Sequence, residues 1–149
     1  MARRYSISGQ DTNTASTTML TAISATTIRP MIYDVMIGSV ASPADNAAQY
    51  YLQRITTAGT VTAVTPQALD PGDPASTTTA GVNASAEPTY TSNAIMLRVV
   101  KNQRATFRWV ARERGEIVMP ATAANGIGVL SNAIGGSAVT EDFLLHIEE

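Results

Sequence analysis

The sequence predicts an all-β fold: a jelly-roll-like sandwich or barrel of about eight short antiparallel strands. Three observations point there. Apolar and polar residues alternate in short runs, turn signals separate those runs, and threonine is abundant. The branched β-carbon of threonine fits a pleated surface. With 149 residues, the chain suits one domain, residues 1–149. A chain of this size buries about 68–70% of the surface exposed on unfolding, so a core forms without staples.

Residues 1–16 carry no dense apolar run and are read as an N-terminal arm. Residues 17–28, TTMLTAISATTI, give the first strand region, closed by Arg29 and Pro30. In 31–40, MIYDVMIGSV, the set Met31, Tyr33, Val35 and Ile37 is apolar and Asp34 falls on the other face. SPADNA (42–47) makes a turn or a single helical turn, with Ser42 as cap and Pro43 at the first position. QYYLQRIT (49–56) places Tyr50, Leu52 and Arg54 on one face and Gln49, Tyr51, Gln53 and Ile55 on the other. VTAVT (61–65) follows the turn at Ala58 and Gly59.

Residues 70–92 lack an apolar period and are expected to form a long extended loop. AIMLRVV (94–100) is a dense apolar strand, and 105–111 alternates again through Phe107, Trp109 and Ala111. Residues 102–114 also fit a helix, with Asn102 as N-cap, Gly115 past the end, and Arg104, Arg108 and Arg112 on one face. The strand is preferred, because Phe107, Trp109 and Val110 favour it. EIVM (116–119) is a short strand stopped by Pro120, one more strand lies around 127–130, and 141–149 closes the sheet.

Charged residues make up only 15% of the chain, with net charge −2. An average soluble domain carries about 25%. No global field draws such a chain to nucleic acid or anionic lipid. Lys101 is the single lysine among ten basic residues. Arginine holds fixed bidentate contacts better than lysine, which hints at interfaces. The absence of cysteine excludes disulfides and thiolate metal sites. No apolar run follows the basic start, and none approaches the ~20 residues that span a bilayer, so the chain is expected to be complete and soluble.

The candidate chemistry is thin. Asp70 and Asp73 offer two carboxylates, whereas calcium takes about six to eight oxygens, and residues 75–86 add none. A rigid turn is the expected role, stiffened by Pro71 and Pro74. His146 is the only histidine, lies between Leu145 and Ile147, and is expected to face outward. No G-x-S-x-G surrounds a serine, and Gly126-Ile127-Gly128 is half of a phosphate fingerprint without its context. The basic 98–114 segment with Phe107 and Trp109 has the ingredients of a single-strand nucleic-acid surface, but Glu113 and Glu116 interrupt it. Its arginines are expected to pair with acids across a sheet or a subunit boundary. Glu141, Asp142, Glu148 and Glu149 read as solvated ends. No catalytic, metal or cofactor site is expected. One histidine cannot furnish the metal cluster of a jelly-roll enzyme of the cupin kind.

The run TTAGTVTAVTPQALDPGDPAS (56–76) resembles a stretch in small virion proteins of tailed bacteriophages, the capsid decoration (cement) and head-surface family. Arg54, Gly59, Thr60, Thr65, Pro66, Leu69, Asp70, Pro71, Asp73, Pro74 and Ala75 match residues of its pattern, G-T-x-x-T-P-x-x-L-[DE]-P-x-D-P-A after an Arg-led turn, with four residues in place of two between Thr60 and Thr65. Trp109 with GEIVMPATAANGIG, the ending HIEE and the early RYSI are similar to later and outer strands of that family. The resemblance implies a virion protein on the capsid exterior, made in the host cytoplasm. It would be homotrimeric, bridge major capsid protein subunits, and have no nucleic-acid or membrane partner. Capsid or subunit contacts are then expected at Arg3, Arg4, Tyr5, Arg54, Asp70, Pro71, Asp73, Pro74, Arg104, Arg108 and Arg112. Residues 70–88 are expected to lie against another subunit. The alternative is a carbohydrate- or receptor-binding β module of a head fibre or tail accessory protein. Tyr33, Tyr50, Tyr51, Tyr90 and Trp109 would be its stacking faces.

Overall fold

The computed structural model describes residues 2–40 and 42–149. They contain twelve strands and no helix. In order these are β1 (Arg4–Thr12), β2 (Thr17–Ile23), β3 (Met31–Ser39), β4 (Ala47–Thr57), β5 (Thr60–Val64) and β6 (Gln67–Ala68). Then come β7 (Thr79–Ala86), β8 (Thr89–Asn102), β9 (Phe107–Val110), β10 (Ile117–Val118), β11 (Gly126–Ile134) and β12 (Thr140–Glu148). One sheet runs β10-β3-β12-β1-β6, with β9 also on β3. The other runs β5-β7-β2-β11-β4-β8. Every ladder is antiparallel.

The winding is a jelly roll with an insertion. β9 and β10 lie end to end along β3, Asp34 opposite Val110 and Ile32 opposite Ile117, so they act as one interrupted strand. Counting them so, β1, β12, β3 and β9/β10 face β2, β11, β4 and β8. The roll has eight strands, but not the set expected: β1 falls in the expected arm, and the expected strand at 61–65 is β5 of the insertion. Residues 58–88 are inserted between β4 and β8, and their strands lengthen both sheets. β6 extends the β1 edge, while β7 and β5 extend the β2 edge. The assembly is a sandwich and not a closed barrel.

Inner faces follow the pleat. Tyr5, Ile7, Leu20, Ile37, Leu52, Val129, Phe143 and Leu145 are fully or almost fully buried in one core. Burying a side chain of the Leu, Ile or Phe class contributes about 1.5–3 kcal/mol. Tyr50 meets Phe143 edge-on, ring centroids 5.7 Å apart.

A second, smaller cluster lies off the main core. Two connections of two residues run side by side, since Thr57 pairs with Thr89 and Thr60 with Ala86. Gly59 permits that approach: a β-carbon there would stand 2.1 Å from the Ala86 carbonyl oxygen. The ring of Tyr90 comes down on Gly128, and its hydroxyl meets Thr18 Oγ1 at 2.8 Å. Burial is the main cause raising the Tyr90 hydroxyl pKa well above its usual value.

The preferred reading of residues 102–114 holds, since they contain β9 and no helix. Three expectations are corrected. Residues 4–12 are not a free arm, because β1 sits between β12 and β6. The irregular stretch expected at 70–92 ends at Thr78, and β7 begins at Thr79. The face assignment in β3 holds only from Asp34 onward. A bulge falls where His146 pairs with Asp34 but Ile147 pairs with Ile32. The extra residue, Tyr33, reverses the alternation, so Ile32 enters the core and Met31 and Tyr33 stay at its margin.

Candidate functional site

Three groupings of polar side chains stand out. The first lies on the outer face of the β1/β12/β3/β9 sheet. The β3 bulge sets Asp34 beside both neighbouring strands. Arg108 grips its carboxylate with two bonds, Nε to Oδ1 at 3.1 Å and Nη2 to Oδ2 at 2.7 Å. His146 Nδ1 stands 3.3 Å from Oδ2. The Arg108 hydrogen bonds hold the Asp34 pKa below the usual carboxylate range, against the opposing effect of burial. His146 stacks on Tyr33 at 5.8 Å, and Arg4 lies over the other part of that cluster, 5.5 Å from the Tyr33 ring centre. Arg4 also bonds Glu148 at 2.9 Å. Ser6 is the cross-strand neighbour of His146. Serine, histidine and aspartate thus share one row, but Asp34 is committed to Arg108. No hydrogen bond joins Ser6 to His146 among the described residues. The row is an ion-pair array rather than an activated nucleophile.

The second grouping is the side of the sandwich where β8 and β9/β10 end the two sheets. Arg98, Arg104, Arg112 and Arg114 belong to this segment. None has a carboxylate within 4.0 Å among the described residues; the arginines that do are Arg3, Arg4 and Arg108. Arg98 lies over Tyr51, 4.8 Å from its ring centre, and Arg104 Nε donates to the Pro43 carbonyl at 3.3 Å. Val100 is 65% exposed, and Met96 and Val110 are exposed too. Unpaired arginines interleaved with apolar side chains are the composition of a protein interface.

The third is buried. Lys101 of β8 and Glu141 of β12 bridge the two sheets at 2.8 Å, their side chains 4% and 0% exposed. Lys101 Nζ also donates to the Ala105 carbonyl at 3.2 Å. The Ser39 hydroxyl lies 3.0 Å from Glu141 Oε1, and Oε2 is buried without a hydrogen-bond partner. Tyr50 lies beside this carboxylate, and Asn13 Nδ2 donates to its hydroxyl at 2.7 Å. Burial first, and then Glu141, push the Tyr50 pKa far above its usual value. Glu141 is therefore not a solvated end.

The insertion departs from its expected role. Asp70 Oδ1 accepts the Gly72 N–H at 2.9 Å, and the Asp73 N–H closes a turn onto the Asp70 carbonyl at 3.0 Å. Asp73 lies 4.0 Å from Arg3. The Tyr5 hydroxyl donates to the Pro74 carbonyl at 3.0 Å, Pro71 stands inside the turn, and Glu149 takes hydrogen bonds from Ser76, Thr77 and Thr78. Residues 70–78 thus pack on their own sandwich. Of the segment expected to lie on another subunit, residues 79–86 form β7 within the chain's own sheet, while Asp70, Pro71 and Pro74 stay exposed. Tyr5 belongs to the core, and half-buried Arg54 spends its guanidinium on the Val118 carbonyl at 3.1 Å, tying one sheet to the other. Of the expected contact residues, Arg3, Arg4, Asp70, Pro71, Pro74, Arg104, Arg108 and Arg112 are exposed.

The aromatic residues form no open platform. Tyr50 is buried, Tyr90 is covered, Trp109 packs against the core, and arginines lie over Tyr33 and Tyr51.

Sequence reasoning missed the Lys101–Glu141 pair. Its only signal was the single lysine of the chain, in an alternating strand at a position facing inward with Val99. No family model matches the chain, and neither the curated proteins nor the solved structures contain a match.

Proposed function

We propose that this chain is a structural protein of a tailed-phage virion that decorates the outer surface of the capsid and stabilises it by bridging major capsid subunits. It acts there as a homotrimer and carries no catalytic role. One observation carries the reading furthest: the β8 and β9/β10 side of the sandwich presents four arginines without acid partners, beside exposed Val100 and Val110. A protein that works alone has no use for such a strip, and a protein that clamps others does. The resemblance of 54–76 to the decoration and head-surface family supports the same reading. The fold by itself does not, since jelly rolls host many functions.

The insertion has a part in this reading. β5, β6 and β7 extend the sheets on the opposite side of the sandwich, where β5 becomes the edge of one sheet and the two-residue β6 that of the other. The capsid reading takes the side with the unpaired arginines. The test is direct. Purified protein is mixed with heads lacking it, from the phage that encodes it, and bound protein is measured after sedimentation. Saturable binding in multiples of three, with heads that better survive heat, is expected. A monomer that leaves the heads unbound would falsify the reading.

A further inference from the structure

The exposed edge of β8 is built to accept a further strand of a particular chemistry. β8 ends its sheet and pairs with β4 alone. From Leu97 opposite Leu52 to Asn102 opposite Ala47 the register is unbroken, and bulges at Met96 and at 91–94 close that stretch off. Six residues in extended form offer about 20 Å of edge. On such an edge, alternate N–H and C=O groups face away from the partner strand. The usual protections are absent from 97–102: there is no proline, and the one inward charge, Lys101, is consumed by Glu141.

The side chains say what would fit. Leu97, Val99 and Lys101 turn toward the core, whereas Arg98, Val100 and Asn102 turn out. Arg98 is held in place by the Tyr51 ring. Beside Val100 a shallow groove of about 210 Å3 is lined by Ala47, Ala48, Gln49, Ala133, Ile134 and Gly135. That groove lies over β4, between β8 and β11, so the apolar contact offered toward the free edge is Val100 itself. A second copy of this chain is a poor occupant, since β8 against β8 brings two Arg98 guanidiniums onto one face with no acid on it.

We infer that the 97–102 edge of β8 binds an extended segment of a partner protein, with an acidic side chain set against Arg98 and an apolar one set against exposed Val100. Backbone bonds give this docking its strength, and the alternating side chains give it selectivity. Arg104, Arg112 and Arg114, on the same side of the sandwich, add a field that draws an acidic strand in. The inference deepens the capsid reading, for which it names the chemistry of the docked segment.

The experiment uses three synthetic peptides of about nine residues. One alternates Glu and Val with Thr between them, the second replaces Glu by Lys, and the third scrambles the first. Binding to the full chain is followed by amide chemical shifts. The acidic alternating peptide is expected to shift the amides of 97–102. Its affinity should fall about tenfold in Arg98→Glu and also on raising salt from about 0.05 to about 0.5 M, and should not change in Arg29→Glu. No binding, equal binding of the lysine or scrambled peptide, shifts centred elsewhere, or self-association through β8 would each overturn the inference. If the peptide fails while heads still bind the protein, the docking chemistry alone is wrong. If the peptide binds while heads do not, the capsid reading is the one that falls.

Discussion

Replacing Lys101 by methionine tests how the two sheets are held together. The pair it breaks is sealed, with side chains 4% and 0% exposed and 2.8 Å apart. Methionine nearly conserves the volume but leaves the buried Glu141 charge with no cation, beside only the Ser39 and Tyr50 hydroxyls. Removing one partner of a buried ion pair costs about 3–5 kcal/mol. In a chain near this length, each kcal/mol moves the thermal midpoint by about 2–4 °C. Lys101→Met is therefore expected to lower Tm by about 6–20 °C. The companion variant is Lys101→Met with Glu141→Leu. Replacing both members by apolar groups is often neutral or even stabilising by about 1–4 kcal/mol, so the pair of substitutions should recover most of the loss. Urea unfolding followed by Trp109 fluorescence and circular dichroism measures all three proteins. A single variant within about 0.5 kcal/mol of the parent, or a double variant no better than the single, would refute the reasoning. The first result would mean the pair is wet, and the second that packing rather than charge is at stake.

Other outcomes follow from the same geometry. Asp34 and Glu149 both have lowered pKa values. Arg108 is the first cause at Asp34; at Glu149 burial is the largest single effect and raises the value, but the hydrogen bonds from Thr78, Ser76 and Thr77 together lower it by more. A lowered folded-state value gives stability that is present above the unfolded value and lost as pH falls through the folded one. Stability should therefore drop below about pH 4, and Asp34→Asn should flatten that acid limb in a pH series of urea midpoints. Gly128→Ala places a β-carbon 2.3 Å from the Tyr90 hydroxyl. It should cost about 1–3 kcal/mol by overpacking, and Gly128→Ala with Tyr90→Phe, which removes that oxygen, should cost less in the same unfolding assay. Glu149→Ala frees the 76–78 backbone, and limited proteolysis should then cut within 70–78 faster than in the parent while β7 stays protected.

The strands that the sequence makes legible are those with dense alternation. Tyr50 and Leu52 share a face as read, and the structure turns that face inward, while Phe143, Leu145 and Ile147 all reach the core. The pattern fails where the signal is non-local. In β1, Tyr5 and Ile7 alternate, but Gly9 interrupts the run because Val82 of the facing sheet fills the space its side chain would need. β7 is short on apolar residues for a related reason, since Ala80, Gly81 and Val82 are chosen for close packing rather than for bulk. The β3 bulge is dictated by its pairing with β12 and is invisible in MIYDVMIGSV alone. Lys101 and Glu141 are forty positions apart, and nothing in either neighbourhood announces the other. The arginines of 98–114 are expected to pair with acids, and among the described residues only Arg108 does so within the chain, at Asp34. Which arginine finds an acid depends on where Asp34 comes to rest.

The most direct test of the central claim is a cryo-electron microscopy map of the intact virion. The account predicts a two-sheet sandwich outside the major capsid shell, grouped in threes, with the β8 and β9/β10 side against capsid protein and the inserted β5, β6 and β7 turned away. Virions in which this protein lies in the tail, inside the shell, or nowhere at all would contradict it.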